Sequence, residues 1–322
     1  MSTALVTGLT GQDGSYLAEL LLAKGYRVAG VVRNAQMAVR ALPPDLMNRV
    51  ELVDWDLQDQ RVMVDILSHY QPAELYNFSA YSSGSGMFDS AIEIGEVNGL
   101  AVARLLEAIR EVDENIRFCQ ASSSEMFGDA ADYPQSEETP FQPRSPYGAA
   151  KLYAHSMIRI YRKRYGMFAC SAILFNHESP RRAFNFVSRK ITHEAVRIKL
   201  GLQNKLSLGN LDSCRDWGFA GDYVFAMWLM LQQSHADDYV VATGETHSVR
   251  DLCDYAFGYL GLDYRQHVCE DASAYRPVES VRLVGDAGKA RRKLGWKPQI
   301  GFRDLIGMMV EADLKLLSEK KY

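Results

Sequence analysis

The chain has 322 residues, of which 47% are hydrophobic and 24% are charged, and its formal net charge is −4 at pH 7. This length and composition allow a large buried core in one domain or in two lobes. The mildly acidic balance argues against a nucleic-acid-binding protein, which would typically show an excess of basic residues.

The cysteines and the apolar runs indicate the compartment. The five cysteines are scattered and form no CxxC pair, which favours free thiols in a reducing compartment and predicts no metal site. The N-terminal residues enter a strand without the charged and apolar regions of a signal peptide. No segment approaches the roughly 18 uncharged apolar residues of a membrane span. We therefore predict a cytoplasmic protein with neither a membrane nor a nucleic acid as partner.

The first half of the chain alternates short apolar runs with longer amphipathic ones. Strands are predicted at 4–6, 26–32, 50–53, 74–78 and 116–121, with helices at 15–24, 60–69 and 101–110 between them. This alternation is typical of a doubly wound parallel α/β sheet of the Rossmann type. After residue 175 the pattern loosens. We expect a cofactor domain over 1–175, to which later elements return, and a smaller interleaved mixed α/β substrate lobe over 176–322.

A glycine-rich loop follows the first strand and opens the first helix. In a dinucleotide fold the first glycine permits a tight turn, the second lets the backbone approach a pyrophosphate, and the third lets the helix pack closely. The N-terminus of the helix adds N–H groups and the positive end of its dipole. The predicted cofactor contacts in this loop are Gly8, Thr10, Gly11, Gln12, Asp13 and Gly14.

The residues that follow the second and third predicted strands are expected to contact the adenosine half of the cofactor. Arg33 stands where NAD-binding folds usually carry a carboxylate for the ribose 2′-hydroxyl, and an arginine attracts a 2′-phosphate. The pattern therefore favours NADP. Asp56 and Leu57 follow the third strand and either contact the adenine or, in the case of Asp56, cap the next helix.

Tyr147 and Lys151 form a YxxxK pair whose spacing puts both side chains on one helical face. A free tyrosine has a pKa of about 10, and a nearby ammonium favours its phenolate, which can then take a proton from a sugar hydroxyl. Ser123 follows the fifth strand, at the strand end where ligands of parallel sheets bind. Its hydroxyl either bonds the same substrate oxygen or caps a helix.

Glu125 distinguishes a dehydratase from a simple dehydrogenase. A ketone at C4 of a sugar acidifies the C5 proton, and a neighbouring carboxylate can remove that proton and then protonate the departing C6 hydroxyl. If Glu125 serves only as a cap, an epimerase or reductase is expected instead.

These residues lie in longer segments that resemble the GDP-mannose 4,6-dehydratase family of extended short-chain dehydrogenases/reductases. The similar segments run from residue 3 to about 316. The most specific of them are GLTGQDGSYLAELLLAKGY, ASSSEMFG, PFQPRSPYGAAKLYAH, ILFNHESPRR, LGNLDSCRDWG and YRPVE. The resemblance implies a lyase that binds NADP and a GDP-sugar and forms a homodimer or homotetramer.

The resemblance also implies a role for individual residues. The catalytic positions match Ser123, Glu125, Tyr147 and Lys151. The further cofactor positions match Phe78, Ser79, Ala80, Tyr147, Lys151, His177 and Arg182. The substrate positions match Ser82, Glu125, Asn176, Val187, Lys190, Arg215, Arg276 and Glu279. Arg215 and Arg276 can clamp a diphosphate through bidentate bonds, and Glu279 can accept from guanine N–H groups or a ribose hydroxyl.

The chain departs from the family pattern at three places. Ser123 stands where the family usually has threonine, which keeps the hydroxyl. The run after Arg33 lacks a second arginine, in a segment that often serves NADP binding and tetramer contacts. The loop over 77–88, after the fourth strand, is rich in glycine and serine, which suggests a roomier sugar pocket and admits a GDP-heptose beside GDP-mannose.

Two other functions stay open at this point. One is a GDP-sugar C4 oxidase, epimerase or 4-keto reductase on the same scaffold, which the altered sugar loop supports. The other is a non-catalytic NADP-sensing protein, against which the intact set of catalytic residues argues.

Overall fold

The computed structural model describes residues 2–82, 88, 90–271 and 282–319, and its centre is a seven-stranded sheet. The strand order is β3-β2-β1-β4-β5-β6-β11, and every neighbouring pair in this sheet is parallel. The strands of this sheet are β1 (Thr3–Thr7), β2 (Arg27–Val32), β3 (Glu51–Asp54), β4 (Glu74–Asn77), β5 (Arg117–Ala121), β6 (Ala169–Leu174) and β11 (Tyr239–Val241). The order reverses at β1, as in doubly wound dinucleotide-binding folds. The predicted Rossmann-type sheet is confirmed.

Short strands pair outside the central sheet. The parallel pairs are β7 (Asn176–Glu178) with β10 (Trp217–Phe219) and β8 (Leu206–Leu208) with β13 (Val268–Glu270). The antiparallel pair is β9 (Cys214–Arg215) with β12 (His247–Ser248).

The helices of the described chain cover both faces of the sheet and build the second lobe. They are α1 (Gln12–Ala23), α2 (Ala35–Ala38), α3 (Gln60–Tyr70), α4 (Ala91–Gly95), α5 (Ala101–Val112), α6 (Pro146–Tyr165), α7 (Val187–Lys199), α8 (Ala220–Leu231), α9 (Val249–Tyr259), α10 (Gly288–Leu294) and α11 (Phe302–Glu319). Among the described residues, no helix combines the length and the hydropathy that crossing a membrane requires.

Local sequence explains where several helices begin. Asp59 accepts hydrogen bonds from the N–H groups of Arg61 and Val62 and so caps α3. Ser248 and Asp251 form a reciprocal capping box at α9. The strand and helix positions predicted for the first half agree with these bounds to within a few residues. The short helices α2 and α4 and the later helices α8, α10 and α11 were not predicted from the sequence.

Two apolar layers hold helices against the sheet. On one face α1, α8 and α10 pack over side chains such as Leu17, Met227 and Trp296. On the other face α3, α5 and α6 pack over residues such as Leu105 and Ile158. Each such side chain, when fully buried, stabilises the fold by roughly 1.5–3 kcal/mol.

The second lobe has its own core between α7, α9 and α11. Within the lobe, Asp313 on α11 is fully buried and pairs with Arg189 on α7, and it accepts a hydrogen bond from Thr192 at 2.9 Å. Buried charges are tolerated when they are paired and hydrogen-bonded in this way. We propose the lobes as residues 1–175 and 176–322, with β11 and α8 packing back on the cofactor domain.

Candidate functional site

The carboxyl ends of β1, β4 and β5 lie side by side, since these strands are neighbours and parallel in the sheet. The loops that follow them contain the predicted cofactor and catalytic residues. Ligands of open α/β sheets bind at this edge, where the strand order reverses. The fold therefore brings together segments that are far apart in the sequence.

The glycine-rich loop has the geometry that its pattern predicts. Gly8 adopts a φ of 65°, which favours glycine. A Cβ on Gly14 would lie 2.4 Å from the carbonyl oxygen of Gly8, so only glycine lets α1 start this close to the loop. Gly11 precedes α1 and adds no side-chain cap to its first N–H groups. These features fit a dinucleotide pyrophosphate at the helix N-terminus.

A histidine from the second half of the chain holds the first turn of α1. His177 Nε2 lies 2.9 Å from Asp13 Oδ2, and Nδ1 lies 2.7 Å from the carbonyl oxygen of Phe175. Both ring nitrogens face acceptors, so both must donate and the imidazole is charged. The negative charge and hydrogen bond of Asp13 raise the pKa of His177 against the opposing effect of burial. The pair lowers the pKa of Asp13, although burial acts to raise it.

This pair predicts a pH-dependent loss of stability in Asp13→Asn. The Asp13 contribution is present above its unfolded pKa of about 3.9, and the His177 contribution is present below its unfolded pKa of about 6.5. The stabilisation that the charged pair provides is lost as pH rises through the raised folded pKa of His177. We expect Asp13→Asn to lower the free energy of unfolding by about 1.5–3 kcal/mol near pH 5.5 and by less at pH 9, in urea titrations.

The exposed Asp254 on α9 gives the control. Asp254→Asn should leave the unfolding free energy nearly unchanged at both pH values. An equal loss at pH 5.5 and pH 9 for Asp13→Asn would contradict a charged pair.

Gln12 and Arg182 complete the contact between the loop and the residues after β7. Gln12 Nε2 donates to the carbonyl oxygen of His177 at 3.1 Å, and Ser179 Oγ donates to Gln12 Oε1 at 2.8 Å. Arg182 pairs with the buried Glu178 at 3.1 Å, and its positive charge acts on Asp13, His177 and Tyr147. Arg182 therefore belongs to the same site as Tyr147.

The residues predicted to contact the adenosine half of the cofactor lie on a more open part of the surface. Arg33 is exposed directly after β2, and the neighbouring Ala35 N–H donates to Asp54 Oδ1 at 2.7 Å. Asp56 Oδ1 accepts from the N–H of Gln58 at 2.9 Å. The interpretation of Asp56 as a helix cap is wrong, since Asp59 caps α3 and Asp56 closes the turn before it.

Helix α6 begins where its side chains can reach the end of β5. Ser145 caps α6 by accepting from the Gly148 N–H at 3.1 Å, and Pro146 occupies the first turn. A Cβ on Gly148 would lie 2.5 Å from the carbonyl oxygen of Glu125. Glycine at this position lets the first turn of α6 press against the 3₁₀ turn Ser124–Met126.

Tyr147, Ser123 and Lys151 lie together in this contact. Ser123 hydrogen-bonds with the Tyr147 phenol and accepts from the Glu125 N–H at 3.2 Å. The second bond confirms its role as a cap, and its bond to a substrate oxygen stays a prediction. The ammonium of Lys151 lies 5.7 Å from the centre of the Tyr147 ring and donates to the Ala121 carbonyl at 2.8 Å. Burial raises the pKa of Tyr147 to about 12, and the bond from Ser123 opposes this. Burial lowers the pKa of Lys151 to about 8.

The pKa of Tyr147 in the protein alone lies above its ordinary value, because burial outweighs the favourable contacts. The sequence predicts a lowered pKa from the Lys151 ammonium together with a positive nicotinamide, and this combined effect stays a prediction.

Glu125 lies in the same contact and is half-buried. Its negative charge acts on the Tyr147 phenol and contributes to the raised pKa of that group. Since the backbone of Glu125 touches Gly148, its position is fixed by the same packing that fixes Tyr147. The site therefore combines a tyrosine, a serine, a lysine and a carboxylate.

Four of the predicted substrate residues lie on the second-lobe side. Asn176 on β7 pairs with Trp217 on β10. Trp217 follows Arg215 on β9 by two residues. Val187 starts α7 and is 36% exposed, and the exposed Lys190 donates to the Ser207 carbonyl at 2.8 Å. Their roles stay predictions.

Two predicted substrate residues, Arg276 and Glu279, lie outside the described residues, as do positions 83–87 of the sugar loop.

The start of the sugar loop is held by a residue that the sequence analysis missed. Asn98, 1% exposed in a π-helical turn, accepts from the Tyr81 N–H at 2.7 Å and donates to the Tyr81 carbonyl at 3.0 Å. This positions the partly buried stretch Phe78–Ala80 and the exposed Ser82. A buried asparagine inside a helical pattern was the available signal.

A buried aspartate beside Arg215 was also missed. Asp216 is 0% exposed and accepts from four groups: the N–H and hydroxyl of Thr243, the Gly244 N–H and the Gly285 N–H. It joins three separate segments next to the predicted diphosphate contact. Only the fold reveals these partners.

Comparison with known proteins confirms the resemblance. The profile of the family described as GDP-mannose 4,6 dehydratase matches residues 5–309. GDP-mannose 4,6 dehydratase 1 of Arabidopsis thaliana is 50% identical, with 99% of this chain and 91% of the relative covered. GDP-mannose 4,6 dehydratase of Homo sapiens is 43% identical, with 98% and 92% covered.

A solved structure agrees with the fold. The UDP-glucose 4-epimerase of Thermus thermophilus, in complex with NAD, has a TM-score of 0.83 and 26% identity, with 97% of this chain and 98% of that chain covered. The profile match and the relatives together show that the chain belongs to the GDP-mannose 4,6-dehydratase family.

Proposed function

We propose that the protein converts GDP-mannose, or a closely related GDP-sugar, to its 4-keto-6-deoxy derivative by removing water. The observation that carries this proposal is that Glu125, whose backbone packs on Gly148 at the start of α6, acts by its charge on the Tyr147 phenol, which also interacts with Ser123 and lies near Lys151. A dehydrogenase or epimerase of this class needs only the last three groups. Membership of the family supports the same reaction.

The chain's own residues supply the proton transfers. Tyr147, as phenolate, takes the proton of the C4 hydroxyl while Ser123 holds the oxygen. Glu125 takes the C5 proton and gives it to the C6 hydroxyl, so that the C6–O bond breaks and water leaves. The proton that Tyr147 took from the C4 hydroxyl is returned to C5. General acid–base help of this kind is worth about 10²–10⁴-fold.

The cofactor that we propose is NADP. When bound, it supplies reversible redox chemistry, oxidising C4 and later reducing C6 without net consumption. The open N–H groups of α1, the Gly8–Gly14 contact and the half-buried Phe78–Ala80 fit a dinucleotide here. The positive charge of an oxidised nicotinamide would also favour the Tyr147 phenolate that burial disfavours.

The choice of NADP over NAD depends on Arg33. We expect Arg33→Ala to weaken NADP binding roughly tenfold to a hundredfold, because a charge-assisted bond to a phosphate contributes about 1.5–3 kcal/mol. Binding of NAD should change much less. Isothermal titration with both cofactors measures this, and Arg265→Ala in the second lobe is the charge-matched control. Equal losses for the two cofactors would contradict a 2′-phosphate contact at Arg33.

We further propose a cytoplasmic homodimer, paired through α4, the π-helical turn and α6. Ile92 is 83% exposed, and Leu100 and Tyr153 are 40% and 41% exposed on an apolar groove along this face. Of the α6 residues that could pair, Ile160 is 53% exposed, whereas Ile158 is fully buried in the core. We expect a dimer mass in light scattering, and Ile92→Asp should lower it to that of a monomer.

The experiment that tests the proposed function is turnover with a panel of GDP-sugars, including mannose and heptose forms. Release of a 4-keto-6-deoxy GDP-sugar without added reductant is the expected result. Inversion at C4 with the C6 oxygen retained would contradict it.

A further inference from the structure

A chain of buried hydrogen bonds crosses the ends of three strands and finishes at the carbonyl that holds the catalytic lysine. Thr7 Oγ1 donates to Asn77 Oδ1 at 2.5 Å, and Asn77 Nδ2 donates to Gln120 Oε1 at 2.7 Å. Gln120 Nε2 then donates to the Ala121 carbonyl at 2.8 Å, which also accepts from Lys151 Nζ at 2.8 Å. These hydrogen bonds thus pass through one residue of each of β1, β4 and β5 and end at a single acceptor, the Ala121 carbonyl oxygen.

The direction of this chain is fixed by its first member. Thr7 Oγ1 already accepts from the N–H groups of Phe78 at 3.1 Å and Ser79 at 3.0 Å. Its only proton must then go to Asn77. The Asn77 amide must turn its oxygen to Thr7 and its nitrogen to Gln120, and the Gln120 amide must turn its nitrogen to Ala121. Each amide orientation follows from the one before it.

Burial makes this arrangement stringent. Thr7 and Gln120 are 1% exposed, Lys151 is 2% exposed and Asn77 is 3% exposed. At such positions water cannot replace a lost partner, so a break in the chain leaves a donor or acceptor unpaired. The two donors at Ala121 occupy both lone pairs of its carbonyl oxygen, so the place of the Lys151 ammonium depends on how Gln120 holds that carbonyl.

We propose that Gln120 is a positioning residue for the catalytic lysine: with Thr7 and Asn77 it fixes the Ala121 carbonyl, which sets the Lys151 ammonium beneath Tyr147. This inference rests on the proposed roles of Tyr147 and Lys151. It adds that the segment Phe78–Ser79, proposed to contact the cofactor, and the catalytic lysine are tied to the same hydrogen-bond chain. None of the three side chains needs to touch substrate or cofactor.

The readout is the titration of Tyr147 in the protein saturated with NADP. Besides the Lys151 ammonium, which lies 5.7 Å from the centre of the Tyr147 ring, the charged groups that act on the phenol include Glu125, Arg182 and Asp13. Substitution of Gln120 leaves all of these charges in place. A change in the titration would therefore report a displaced ammonium rather than an altered charge.

The test compares Gln120→Leu and Thr7→Val, which break the chain, with Thr7→Ser, which keeps the hydroxyl. The tyrosinate absorbance that is lost on adding Tyr147→Phe to each background isolates Tyr147 from the other tyrosines without any sugar substrate. We expect the apparent pKa of Tyr147 to rise by about one unit in Gln120→Leu and Thr7→Val, which is a tenfold change, and to stay unchanged in Thr7→Ser.

Activity on GDP-mannose provides a second, separate measurement. We expect kcat near neutral pH to fall about tenfold in Gln120→Leu, with its acidic limb moved to higher pH and KM little changed. An unchanged Tyr147 titration in a folded Gln120→Leu protein, with only a lower melting temperature, would overturn the proposal and leave a structural role. If the titration shifts while the wild-type protein does not turn over GDP-mannose, the positioning role stands and the proposed function fails.

Discussion

Replacing Glu125 with glutamine should lower kcat for the 4-keto-6-deoxy product by about 10²–10⁴-fold. Glutamine keeps the size and the hydrogen-bonding capacity of the side chain but can neither remove the C5 proton nor protonate the C6 hydroxyl. Because Ser123, Tyr147 and Lys151 are untouched, oxidation at C4 should persist, and reduced cofactor should accumulate with the 4-keto sugar. Product analysis by mass spectrometry together with absorbance of the reduced nicotinamide measures both effects.

The exposed Glu111 on α5 supplies the control for this variant. Glu111→Gln removes the same charge from the protein and should keep wild-type activity. If Glu125→Gln also dehydrates its substrate at the wild-type rate, the proposed acid and base is misassigned.

Replacing Tyr147 with phenylalanine should stop the reaction one step earlier. The ring stays in place, but no group remains to accept the C4 hydroxyl proton, so we expect kcat to fall at least about 10²-fold, with neither the ketone nor reduced cofactor formed. Since the aromatic ring and the loop contacts are kept, NADP and GDP should bind almost as in the wild type. Single-turnover absorbance and calorimetric binding separate chemistry from binding.

The pH dependence of the wild type follows from the same residue. Burial raises the pKa of Tyr147 to about 12 in the protein alone, and bound cationic cofactor should bring it down. The base is active when deprotonated, so kcat should rise with pH up to the pKa of Tyr147 in the complex. Tyr165→Phe on the same helix, where Tyr165 is 42% exposed, should retain both the rate and the pH profile.

The sequence predicted those parts of the fold and site that depend on local pattern. The alternation of strands and helices, the glycine-rich loop and the YxxxK spacing all lie within short windows, and their backbone geometry follows from propensity and steric limits. The packing of Gly148 on Glu125 could not be predicted in this way, since it depends on where α6 begins relative to the end of β5. Yet this contact is what brings Tyr147 and Glu125 together.

Long-range polar contacts were the other part that the sequence did not reveal. Asp13 and His177 are 164 positions apart, and Thr7 and Asn77 are 70 positions apart. Their meeting depends on strand order and register, which a single sequence does not specify. The alternative role of Asp56 as a helix cap failed for a local reason, since two aspartates lie within one turn and only Asp59 has the geometry of a cap.

The elimination of water is tested most directly by the mass of the product that purified protein makes from GDP-mannose with NADP present and no external reductant. We expect a product lighter than the substrate by the mass of one water, with total oxidised cofactor unchanged at the end. A product of unchanged mass, or one that has lost only the hydrogens of an oxidation while cofactor is consumed, would contradict the elimination that we assign to Glu125.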